Sequence, residues 1–151
     1  MADQGAFVLP AGVAFHLEGD ALCIETGGDV FIEGAPGTRF HRVISTDGDI
    51  VFRPDEAISL HTIRAPRGRV TVSGRIAVES IHARDLSFRK GTLRASVIKA
   101  TGTVNLSGER FEGNVVVGKQ IQIAPSLVGR ATAIYSEEPM GPHRLKGGFS
   151  L

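Results

Sequence analysis

The chain has 151 residues, 42% of them apolar, and a formal net charge of +1. That length supports one domain with its own core, and the near-neutral balance excludes a polyanion binder that works through net charge. The one cysteine, Cys23, excludes an intramolecular disulfide and fits a reducing compartment. No secretory leader is visible, because the first residues carry Asp3 and no Lys or Arg. No apolar run approaches the roughly 18 residues that a membrane span needs. A cytoplasmic location is therefore expected, with contact at the inner membrane periphery as a variant of it. Charge is unevenly spread. Residues 1–37 hold six acids and no Lys or Arg, whereas residues 64–110 hold ten bases against Glu79, Asp85 and Glu109.

Residues 1–12 (MADQGAFVLPAG) are partly apolar and broken by Pro10, which predicts a terminal tail or cap. A membrane-touching tail through Phe7, Val8 and Leu9 is the second reading. It lacks the basic face that helps such segments hold anionic lipid.

From Val13 the apolar residues alternate with polar ones: Val13, Phe15 and Leu17, then Leu22 and Ile24 after Glu18-Gly19-Asp20. Period-two alternation predicts strands with one buried face. Gly27-Gly28-Asp29 leads into Val30 and Ile32, Gly48-Asp49 into Ile50 and Phe52, and Arg53-Pro54-Asp55-Glu56 into Ile58 and Leu60. Equivalent triplets start at 13, 30, 50, 70, 86, 104 and 121, so the steps are 17, 20, 20, 16, 18 and 17 residues. A second series, Ile-x-Ala, recurs at 63–65, 81–83 and 98–100. Self-similarity at such a period is the signature of a repeat architecture, and no 3.6-residue period survives in this register.

Three short strands per repeat with glycine-rich corners predict an all-β fold. It is a single-stranded parallel β-helix, or solenoid, of about seven coils over 13–135, followed by an extension over 136–151. One coil cannot bury its inward residues alone; stacking coils about 4.8 Å apart pairs each strand with its equivalents and makes the inward Val, Ile, Leu and Phe one column. Gly and Asp belong at corners, where positive φ or side-chain-to-backbone bonds are needed. Asp29, Asp49 and Asp85 each precede a first-face strand and are read as such corner residues. The alternation ends after Tyr135, where Pro139 and Pro142 oppose a further strand.

Outward residues of equivalent triplets should stack into ladders. The first face reads Phe31, Val51, Thr71, Ser87, Asn105, Gln122. Phe31 and Val51 form a candidate apolar contact patch unless an N-terminal segment or loop covers them. The third face reads Arg64, His82, Lys99, joined in the sequence by Arg84 and Arg94. This basic ladder is either a solvated face or the site of an anionic partner, and like charges so stacked repel unless answered.

No His or Cys pair has metal-ligand spacing. The phosphate-loop pattern and Gly-x-Ser-x-Gly are both missing. Neither metal, cofactor nor small-molecule substrate is expected, nucleic acid is not an expected partner, and the chain reads as a non-enzyme.

The runs Gly68-Arg69-Val70-Thr71-Val72-Ser73-Gly74-Arg75-Ile76, Ile81-His82-Ala83-Arg84-Asp85-Leu86-Ser87-Phe88 and Ile98-Lys99-Ala100-Thr101-Gly102-Thr103-Val104 resemble the bactofilins, polymer-forming bacterial cytoskeletal proteins. The resemblance covers about 13–135. It implies a right-handed β-helix whose ends stack into nucleotide-free filaments, and a scaffolding role for cell-shape or polarity factors. The same text resembles, more weakly, the β-helical part of cell-division inhibitors of the MinC type. A hexapeptide acyltransferase would show a stricter repeat.

The expected function is therefore a structural protein whose main partner is itself, with scaffolded proteins or a membrane surface as further partners. Its assembly ends would be Phe7, Leu9, Val13, Phe15 and Leu17 on one side and Ile121, Ile123, Val128 and Ile134 on the other. The alternative is a non-polymerising adaptor that uses the basic ladder, as a MinC-like regulator would.

Overall fold

In a computed structural model, residues 14–18, 21–34, 39–137 and 149–150 are described. They form an all-β solenoid of about six turns. The strands are β1 (Ala14–Glu18), β2 (Ala21–Thr26), β3 (Val30–Gly34), β4 (Phe40–Ser45), β5 (Ile50–Pro54) and β6 (Ile58–Ala100). They continue with β7 (Thr103–Leu106), β8 (Arg110–Gly118), β9 (Gln120–Ile123), β10 (Val128–Ser136) and β11 (Phe149–Ser150). All described ladders are parallel except one.

The first face stacks Val30 on Ile50 on Val70, and farther along Leu86 on Val104 on Ile121. The third stacks Ile24 on Val43 on Ile63, and at the far end Ile98 on Val116 on Ile134. On the second, Leu93 pairs with Phe111 and Phe111 with Gly129, and β11 adds Phe149 beside Gly129. Inward residues of the three faces merge into one cluster in which Ile32, Ile63, Val72, Leu93, Phe111 and Val116 are inaccessible to solvent. Each such aliphatic side chain contributes about 1.5–3 kcal/mol by leaving water.

β6 runs for 43 residues around several corners of the column with little break in its ladders. Gly74 and Gly91 turn there with φ of +116° and +96°, and a Cβ on Gly91 would overlap Gly74. Only glycine meets both demands. Other corners use a different device. Asp49 N–H donates to Asp29 Oδ1 at 2.8 Å, and Arg69 N–H donates to Asp49 Oδ1 at 2.8 Å. Thr103 N–H donates to Asp85 Oδ1 at 2.9 Å. All three aspartates are thus the corner residues that their positions predict, each accepting from the coil that follows. Gly68 fits under this ladder because it has no Cβ, which would overlap the Gly48 carbonyl oxygen. Ser45, the buried polar residue of this region, donates through its hydroxyl to the Gly28 carbonyl at 2.6 Å and accepts the Gly48 N–H at 3.0 Å.

One expectation is corrected. The triplet beginning at Val13 does not supply the first-face strand of a seventh coil. β1 runs antiparallel to β2, with Phe15 opposite Ile24 and Leu17 opposite Leu22. Two residues join these strands, a connection that suits a hairpin, whereas a parallel pair needs a crossover of a dozen residues or more.

Candidate functional site

Three surfaces follow from the register. The first face carries Phe31 beside Val51 and Val51 beside Thr71, then Ser87, Asn105 and Gln122 in line. Phe31 is 45% exposed, so the described residues do not cover it. Arg53 lies 5.0 Å above its ring and bonds Glu33 at 3.1 Å. The cation uses the negative face of the ring, so the patch is a small mixed one and not a bare apolar surface.

The third face carries the basic ladder. Its outward residues are Arg42 and Ile44, then Thr62 and Arg64, Ser80 and His82, Val97 and Lys99, Val115 and Val117, and Ala133 and Tyr135. His82 is half-buried between Arg64 and Lys99. Desolvation lowers its pKa first, and the two neighbouring cations lower it further. The ring is therefore held neutral more firmly than a free histidine, which relieves the charge crowding on this ladder. Toward the C-terminal end the same face turns apolar: Val97 is 39% and Tyr135 61% exposed, with Val115 and Val117 half-buried beside them. The sequence reading passed over this apolar stretch. Its signal was there, in Val115-Val116-Val117, where an outward valine stands on each side of an inward one.

Arg84 and Arg94 do not join that ladder. Arg84 sits at the corner beyond it, where its Nε donates to Asp85 at 2.8 Å and its Nη1 donates to the Arg67 carbonyl at 3.3 Å. Burial pushes the Asp85 carboxyl up, but the Thr103 N–H, Arg84 and Arg69 outweigh it and leave the pKa lowered. Arg94 belongs to the second face. It stands in register with Glu112, which in turn pairs with Arg130. These three alternating charges line a groove of about 710 Å3 whose floor is made of small residues such as Ala77, Ala95 and Gly113. Glu112 and Arg130 were not singled out from the sequence. They lie 18 residues on either side of one another in the repeat, a spacing that could have found them.

The two ends of the column form the third candidate. At the far end Ile121 is buried, Ile123 and Ile134 are half-buried against the core, and Val128 is 42% exposed. At the other end β1 places Phe15 and Leu17 along the edge of β2. Phe7, Leu9 and Val13 lie outside the described residues. Among those residues no group of three or more His, Cys, Asp or Glu is placed to hold a metal ion, and no helix is long and apolar enough to cross a membrane. No family model, curated protein or solved structure matches the chain.

Proposed function

We propose that this chain is a bactofilin-like structural protein: a rod that joins end to end into nucleotide-independent filaments and serves in the cytoplasm as a scaffold for other proteins. The observation that carries the reading is the state of the column ends. Among the described residues, β3 pairs only with β5, β9 only with β7, and the 131–136 stretch of β10 only with β8. A strand with one neighbour presents a row of backbone donors and acceptors to the next chain that arrives. Beside these edges Ile123 and Ile134 are half-covered, so a junction would add apolar burial to the new ladder bonds. The driving force is thus backbone pairing plus burial, and it requires no nucleotide.

Negative-stain images and light scattering of the purified chain across a concentration series test this. Filaments that lengthen with concentration in nucleotide-free buffer are expected. Monomers alone at high concentration, at both low and physiological salt, would sink the reading.

A further inference from the structure

We propose that the third face is a docking surface for an anionic lipid bilayer. It lies along the side of the rod and meets the C-terminal junction only at its last rung, which carries Tyr135. The outward residues from the Arg42 rung to the Tyr135 rung include no Asp or Glu. Arg64 and Lys99 supply the charge, and the corner beyond them adds Lys119. The nearest corner carboxylates are occupied: Asp47 bonds Arg67 at 3.2 Å and Asp85 bonds Arg84. Glu25 stands on the first rung, Glu137 just past the last and Glu79 at the corner beside Ser80, so the acids lie at the borders of the surface.

The apolar half decides between occupants. Val97, Val115, Val117 and Tyr135 share this face with Lys99, on rungs about 4.8 Å apart. A soluble polyanion would answer the cations and leave Val97 and Tyr135 in water. A bilayer answers both, with headgroup charge for Arg64 and Lys99 and the acyl boundary for the valines, and a tyrosine is at home at that interface.

Vesicle flotation of the full chain tests this, because filaments pellet unaided but do not float. The vesicles are phosphatidylcholine alone, or phosphatidylcholine and phosphatidylglycerol in equal parts. The chain should float with the mixed vesicles and not with the neutral ones, and about 1 M salt, where the Debye length is about 3 Å, should weaken flotation strongly. Arg64→Ser with Lys99→Ser should lower partitioning about 25-fold, about fivefold for each cation lost. Val97→Ser with Tyr135→Ser should lower it at least several-fold. All four side chains point outward, so the β-signal and melting point should hold; Lys99→Ser alone is the milder variant if they do not. Equal flotation with neutral vesicles, or unchanged flotation in both double variants, would overturn the proposal. So would a loss confined to the Arg64/Lys99 variant with Val97/Tyr135 unaffected, which would leave a charge-only contact in which the apolar half takes no part.

Discussion

The two ends of the column are made from different strand geometry. At the N-terminal end the third face is closed by β1, which runs antiparallel to β2. At the C-terminal end the same face finishes on β10, parallel to β8, with Ile134 half-buried and Tyr135 exposed. An antiparallel edge offers closely and widely spaced bond pairs in alternation, whereas a parallel edge offers evenly spaced, slanted ones. An incoming chain therefore meets two unlike templates. The coils next to the ends differ from those between them as well. Gly28, in the first coil, would meet nothing within 4 Å if it carried a Cβ, while the equivalent Gly68 would meet the coil before it. Among the described residues an end coil lacks one of the two neighbours that hold an inner coil in place, and in the proposed assembly another chain would take that position.

Breaking the column in the middle and at the end should give different results. Ile81→Asp places a carboxylate in the closed core, where burial without a partner costs several kcal/mol; the cooperative melt followed by circular dichroism should be lost. Ile134→Asp, on the last rung, should cost about 1–2 kcal/mol and loosen that rung alone. An unchanged melting point for Ile81→Asp would contradict the inward assignment. The corner glycines sharpen the contrast further. Gly68→Ala should destabilise by about 2 kcal/mol or more because backbone must shift, and Gly28→Ala should stay within about 0.5 kcal/mol; chemical denaturation separates them. Asp49→Ala, which removes the acceptor for the Arg69 N–H, should cost about 1 kcal/mol.

The smallest effect is that of pH. His82 has a folded pKa below its ordinary value of 6.5. The unfolded chain therefore binds its proton first, so stability is full above 6.5 and declines as pH falls from there to the folded pKa. Asp85, also lowered, acts in the same direction at lower pH: its contribution is present above the ordinary carboxylate range and is lost on acidification through the folded value. His82→Asn should flatten the first step and leave the second. A melting point that rises on mild acidification would contradict the His82 assignment.

Most of the column was legible because inward alternation and repeat spacing are set by the same geometry. The rungs Phe31–Val51–Thr71 and Ser87–Asn105–Gln122 pair as their positions in the repeat predict. Arg64, His82 and Lys99 likewise come together on one face. β1 was misplaced because alternation is the same in parallel and antiparallel strands; Gly19-Asp20 between Leu17 and Leu22 was the hairpin signal that distinguishes them. Arg94 was grouped with the ladder by its charge, although its neighbours Leu93 and Ala95 are buried on the second face. Proximity in sequence says little about the face in a solenoid, since five or six residues carry the chain around a corner. The strand at Phe149–Ser150 was hidden because two residues are too few for alternation to register.

Sedimentation velocity over a concentration series, with the wild-type chain beside Ile123→Lys/Ile134→Lys, tests end-to-end assembly most directly. The substitutions put two charges at the C-terminal junction and leave the N-terminal end intact. The account predicts wild-type mass that grows with concentration in the absence of nucleotide, and a variant that stops at a dimer or below. A wild-type chain that remains monomeric throughout, or a variant that grows as the wild type does, would contradict it.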